Sequence, residues 1–496
     1  MSQVGCRLRN LGLLWVFVLT CSNILLTVRL LGSTPDCGTA PGLAKAKARV
    51  AHLQHLQQQA RRADQPEHGG QQAEDALDQQ SPNAEDDLDP DTISVDPALG
   101  RWDSRRVLKM FDLALVGAQY AQLSAEYKVT LATQTSLERL HSLVQVVHHW
   151  TGPLSVALYA AGDEWALVQA YVRYLRRCYA PVRERVAFHA AFPADRLPES
   201  SPDQLMEILG SEAHLDCFRP EPSLKELMRQ RSPESIRWRM RHGYPQNHMR
   251  NLARKACQTE YVFLVDVDVV PSMGLAQGLN DFLQKAKCTA PSVAPDAPKA
   301  PPPMLPKTRG AGHRPPPPPQ CAYVIPTYEL DERVRFPRNK SDLVRLAGKG
   351  LARPFHHKVF IYNQYATNFT RWQSEGDADN AAVHVAYNVT NFEFLYEPFY
   401  VARDTMPPHD ERFMGYGYTR NTQVYEMFVA GVQFQVLSPT FSVHWGLQSK
   451  QARPAWRELQ NNENRRHFDV FKREVAVRYR RDPLSMVQPN RTPGKA

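Results

Sequence analysis

The eight cysteines include no C-x-x-C pair, so the spacing that marks a cysteine zinc site is missing. Between Asp64 and Gly100 there are eleven acidic residues and neither lysine nor arginine. Such a stretch cannot bury enough apolar surface to fold alone, which excludes a domain there and leaves a solvated stem. No A-x-A site closes the long charge-free run at residues 10–28, NLGLLWVFVLTCSNILLTV, which argues against a cleaved signal peptide.

What is present fits a membrane-anchored protein. The run of nineteen residues is about the length that crosses the hydrocarbon core as a helix. Arg7 and Arg9 precede it, so the tail at residues 1–9 stays cytoplasmic and everything after the signal-anchor (10–31) is lumenal or extracellular. That topology sets aside nucleic acid as the reason for the net charge of +9. Sequons at Asn339, Asn368, Asn388 and Asn490 agree with it. In an oxidising lumen one or two disulfides are expected, first of all Cys178–Cys217, because both cysteines flank one αβ region.

The stem extends over 32–104, a globular domain over 105–482 and a short tail over 483–496. In the domain, VTLATQT (129–135), LSVALYAA (154–161) and ERVAFHAAF (184–192) read as buried strands. SLERLHSLVQVVHHW (136–150) and EWALVQAYVRYLRRCY (164–179) read as the helices between them. That alternation predicts an α/β fold with a mainly parallel central sheet. Twelve prolines at 291–320 mark an extended surface insertion, bounded at 286–320. CAYVIPTYEL (321–330), FEFLYEPFYVA (392–402) and FQVLSPTFSVHW (434–445) read as later strands, and 465–481 as an amphipathic helix that docks Phe468, Phe471, Val475 and Tyr479.

The candidate site is in YVFLVDVDVVPS (261–272), where Asp266 and Asp268 end a run suited to a central strand. Open α/β sheets bind ligands at the carboxyl ends of their strands. Carboxylates at i and i+2 on an extended stretch face one side and together suit Mg2+ or Mn2+ shared with substrate phosphates. Three other D-x-D pairs, in the stem and in a polar loop, follow no such strand. His444, at the end of FSVHW, is a candidate third ligand.

A longer series of motifs is similar to a known family. YPQNHMRNLARKA, YVFLVDVDVVPSMGL, AYVIPTYEL, FPRNKSDLVRL, ATNFTRW, YEPFYVARDTMPPHDERFMGYGY and FSVHWG resemble, in order, the β-1,4-glucuronyltransferase 1 family, over about 105–480. The resemblance implies a Golgi type II membrane protein with a GT-A fold, a domain shared with the C-terminal half of LARGE. It implies inverting transfer of glucuronic acid from UDP-glucuronate to xylose in β-1,4 linkage, priming the O-mannosyl glycan of α-dystroglycan that LARGE extends, and a possible complex with LARGE. Asp266, Asp268 and His444 would then bind Mn2+ (Mg2+ is the substitute), and Tyr244, Asn247, Arg250 and Asn251 would lie near the nucleotide. Inversion requires a base, for which Asp410, Glu397 and Glu426 are the candidates, Asp410 first. Thr419 departs from the asparagine usual in the family. The same fold with another donor, UDP-N-acetylglucosamine or UDP-xylose, and a silent glycan-binding protein are the competing readings.

Overall fold

The computed structural model describes residues 99–198, 207–208, 210, 214–288, 319–376, 381–449 and 454–487, together with 93, 95 and 96. The expected anchor, most of the stem, nearly all of the proline insertion and the end of the C-terminal tail lie outside the described residues. Among the described residues, no helix is long and apolar enough to cross a membrane.

Two sheets frame the domain. In chain order the first strands are β1 Arg101–Trp102, β2 Leu108–Val116, β3 Val129–Ser136, β4 Leu154–Tyr159, β5 Val186–Pro193, β6 Tyr261–Leu264 and β7 Val269–Pro271. After them come β8 Cys321–Ile325, β9 Thr327–Leu330, β10 Ala352–Pro354, β11 His384–Asn388, β12 Phe399–Arg403, β13 Gln433–Ser438 and β14 Ser442–Trp445. The large sheet has the order β1-β2-β5-β4-β3-β6-β12-β8-β13-β11, and the small one β10-β9-β14-β7.

The block β5-β4-β3-β6 is parallel, as the alternating strands and helices predict. Every residue of β4 and β5 is buried, which a strand covered by helices on both faces requires. Outside that block the sheet is mixed, not mainly parallel. Strand β2 runs antiparallel to β5, and β12 antiparallel to both β6 and β8. A parallel neighbour needs a crossover connection, usually a helix; β12 instead follows the irregular segment 389–398. Only the end of the expected strand 392–402 is extended, for the same reason.

Two apolar runs that read as single strands are each divided at a proline. The first breaks at Pro326 into β8 and β9, the second at Pro439 into β13 and β14. In both, the first half stays in the large sheet and the second enters the small one, where β14 lies parallel to β9 and antiparallel to β7. Proline cannot donate to a ladder, so a buried strand that contains one has to end or change partners there.

Packing begins before the expected boundary at 105, with Ile93 in the main core and Asp103 buried. At the other end the helix Ala455–Tyr479 buries Phe468, Phe471 and Val475 against Phe413, Tyr425 and Val429, the face that the spacing predicts. Cys178–Cys217 is a disulfide, and Cys288–Cys321 closes the base of the proline insertion. The double variant Cys178→Ser/Cys217→Ser should lose about 2–5 kcal/mol of stability, seen as a lower Tm, because the cross-link restricts the unfolded chain. An unchanged Tm would show that this bridge contributes nothing.

Candidate active site

Strand β6 ends at Leu264, and the chain then turns, with the Val269 amide donating to the Asp266 carbonyl at 3.0 Å. Val265, Val267 and Val269 are buried, while Asp266 and Asp268 lie on the other side with side chains about a third exposed. The alternation of a strand therefore survives, although the backbone at 267–268 is a turn.

The two aspartates have different partners. Asp266 Oδ1 accepts from Arg420 Nη2 at 2.8 Å and from Arg250 Nη2 at 3.4 Å. Burial raises its pKa, but the Arg420 and Arg250 charges outweigh that and hold the carboxyl below its usual range. Arg420 opens the helix Arg420–Ala430, is 5% exposed and stacks on Phe399 at 4.2 Å. Sequence reasoning missed Arg420, whose only signal was its place directly after GYGYT.

Asp268 meets His444 instead, with Oδ2 and Nε2 3.6 Å apart. The small sheet produces this approach, since β14 pairs His444 with Val269 on one side and Glu329 on the other. Burial opposes protonation of His444, yet Asp268 and Glu329 keep its pKa above the ordinary value. His444 Nδ1 is buried without a hydrogen-bond partner. His356 stands on the same side, its pKa pushed down to about 4 by burial and by His444. Asp268 and His444 offer a carboxylate oxygen and an imidazole nitrogen, donors that a divalent cation accepts, while Asp266 is turned to the two arginines.

The helix Gln246–Lys255 holds the next group of residues. Tyr244, just ahead of it, donates its hydroxyl to Gln134 near the end of β3, and its ring meets Tyr159 edge-on at 5.4 Å. Arg239 lies over the Tyr159 ring at 4.7 Å and pairs with Glu138 at 3.2 Å. Burial raises the Glu138 pKa, but Arg239 chiefly, with Ser136 and Arg231, brings it down to about 2. This polar, aromatic-lined corner is at the carboxyl ends of β3 and β4. Asn247 and Asn251 serve another purpose. Their amides donate to the Asp410 and His409 carbonyls, each at 2.8 Å, so they fasten the helix to the loop 409–411. Thr419 donates to Gln246 Oε1 at 3.0 Å and belongs to the same fastening.

Of the three acids expected as bases, Glu397 is the one that shares the two arginines of Asp266. Asp410 is held by Arg412 through Nε at 3.0 Å and Nη2 at 2.6 Å, and Glu474 holds the other side of that guanidinium. Its lone pairs are engaged, which removes the reason to rank it first. Glu426 pairs with Arg478 and accepts from Tyr479 at 3.1 Å, fixing the C-terminal helix. Glu397 faces Arg420, Arg250, Asn363 and Asn421; burial raises its pKa above the glutamate range although the two arginines act against it. A cavity of about 280 Å³, lined by Phe355, Gln364, Tyr365, Asn368 and Asn391 among others, lies on the side of its backbone. Gln364 donates to the Glu397 carbonyl at 2.9 Å, and the Phe355 ring lies 5.5 Å from that of His444. Tyr362 and Tyr365 are more than half exposed in this segment.

Comparison with known proteins identifies the family. The profile of the family described as "Glycosyl-transferase for dystroglycan" matches residues 128–480. Beta-1,4-glucuronyltransferase 1 of Homo sapiens is 30% identical over 358 residues, covering 72% of this chain and 77% of that protein. The Danio rerio protein of the same name is 26% identical over 72% of this chain and 75% of its own length. Xylosyl- and glucuronyltransferase LARGE1 of Homo sapiens is 24% identical over 66% of this chain but only 32% of its own. Among solved structures, Staphylococcus aureus TarS 1-349 aligns at a TM-score of 0.32 with 10% identity, over 71% of this chain and 64% of that one, too distant to carry detail. A family match over most of the α/β domain, with relatives that match across it, makes this chain a glycosyltransferase belonging to the family described as glycosyl-transferase for dystroglycan.

Proposed function

We propose that the chain transfers glucuronic acid from UDP-glucuronate to a xylose-terminated acceptor, with inversion to a β-1,4 linkage. The relatives named for glucuronyl transfer support that donor. The acceptor we propose is the O-mannosyl glycan of α-dystroglycan, primed here for LARGE, which the family description favours. A GT-A domain held in the Golgi lumen by an N-terminal anchor, in contact with LARGE, completes the reading.

The observation that carries the reading is a single turn that sets Asp266 against Arg250 and Arg420 and, two residues on, Asp268 against His444. Asp266, Asp268 and His444 would hold Mn2+, or Mg2+ in its place, and a bound ion there supplies Lewis-acid charge beside a diphosphate. Arg250 and Arg420 add fixed positive charge where negative charge develops as UDP departs. Tyr244 and the corner around Tyr159 offer aromatic and hydrogen-bonding groups to the nucleotide. Glu397 takes the proton from the acceptor hydroxyl, and its raised pKa favours that role. The cavity on the side of its backbone, with Tyr365, receives the acceptor sugar.

A panel of UDP-sugars with a β-xyloside acceptor and Mn2+ tests the assignment. UDP-glucuronate should be the donor that turns over. Turnover with UDP-N-acetylglucosamine or UDP-xylose alone would replace the glucuronyl reading, and binding without turnover of any donor would leave a silent glycan-binding protein.

A further inference from the structure

A second group of metal-ligating side chains lies away from the aspartates. Asp103 follows β1, His248 is on the helix Gln246–Lys255, and Glu411 is in the loop that Asn247 and Asn251 fasten. One ligand atom from each lies within 4.8 Å of the other two. His248 Nε2 is 3.5 Å from Asp103 Oδ2 and 3.7 Å from Glu411 Oε2. Two ligands of one tetrahedral ion with bonds of ~2.0–2.1 Å stand about 3.3 Å apart. The observed spacings are a few tenths of an ångström wider, and they exceed an ordinary hydrogen bond.

His248 supplies the independent observation. Its side chain is fully buried, and neither ring nitrogen makes a hydrogen bond. A buried polar group without a partner costs free energy, so an imidazole directed at two carboxylates calls for an ion or a proton between them. The carboxylates are already oriented. Asp103 accepts from the backbone amides of Val107, Leu108 and Arg105 at 2.7, 2.8 and 3.0 Å. Glu411 Oε1 accepts from Asn251 at 2.9 Å, which leaves Oε2 for His248. Outer hydrogen bonds of this kind hold metal ligands in place. The Glu411 side chain keeps 22% of its surface exposed, giving an ion a route in and a water ligand a place.

We propose that Asp103, His248 and Glu411 form a second metal site that takes Zn2+. One nitrogen and two carboxylate oxygens with an open fourth position suit Zn2+ over Mg2+ or Ca2+, which favour all-oxygen sets. The ion ties the start of the domain to the loop 409–411 and to the helix that carries Arg250. Residues far apart in sequence form the site, so no short motif discloses it.

The test uses the full-length chain with Asp268→Asn, which removes one ligand of the proposed active-site metal. After equilibration with Zn2+ and dialysis, metal content by plasma mass spectrometry should be one zinc per chain. Adding His248→Ala should abolish retention, a larger loss than the roughly 10–100-fold that outer-shell changes cause. Glu411→Gln, isosteric and part-exposed, gives the same readout if His248→Ala fails to fold, with circular dichroism as the folding control. Absence of zinc in the Asp268→Asn chain, or unchanged zinc in a folded His248→Ala or Glu411→Gln variant, overturns the site.

Discussion

Asp268→Asn should lower transfer by roughly 10³ or more, which is several kcal/mol of transition-state stabilisation. Asparagine keeps the shape of the turn but removes the charge that faces His444 at 3.6 Å and would hold the cation. Stability should change by less than about 1 kcal/mol, because the side chain is part-exposed and its partner interaction is partly screened. Steady-state turnover over a Mn2+ titration, with a thermal melt alongside, checks both statements. Full activity in a folded variant would remove Asp268 from the metal site. Asp266→Asn should act differently. It removes from Arg420 and Arg250, both largely buried, one of the two carboxylates they share, so loss of activity should come with a lower Tm.

Glu397→Gln should cut kcat by about 10²–10⁴ while leaving the KM for the donor nearly unchanged, the pattern of a lost general base. The amide is isosteric and keeps the contact with Asn363 available, so folding should be retained. Direction in pH follows from the environment. A base acts only when deprotonated, and burial has raised this carboxyl above the ordinary glutamate range. The wild-type kcat should therefore fall on the acid side at a pH above that range, and Glu397→Gln should lose that limb. Asp410→Asn gives the contrast, since its carboxylate is bound to Arg412 by a fork. It should cost on the order of 1 kcal/mol of stability and leave kcat within a small factor. If Asp410→Asn abolished turnover and Glu397→Gln did not, the order of the two acids would be reversed.

Much of the architecture follows from local patterns. Continuous apolar runs specified β3, β4 and β5, helical spacing specified the docked face of Phe468, Phe471 and Val475, and the cysteine positions suggested Cys178–Cys217. Periodicity reports which face of an element is buried, so elements whose burial is regular can be read directly. It does not report partners. The antiparallel insertion of β12 and the division of two runs at Pro326 and Pro439 depend on which strand edge is free when the segment arrives.

The site shows the same limit. The sequence by itself determined that Asp266 and Asp268 follow a central strand and face away from the core, because the valines that alternate with them take the buried side. Only the tertiary structure decided what meets those carboxylates. Arg420 reaches Asp266 from 154 positions away, and His444 reaches Asp268 because β14 leaves the large sheet to pair with β7. By the same kind of contact Asp410 is bound to Arg412, and Glu397 is set against Arg420 and Arg250. A charge acquires its function from the counter-charges and burial around it, and distant segments supply those through packing that no local pattern encodes.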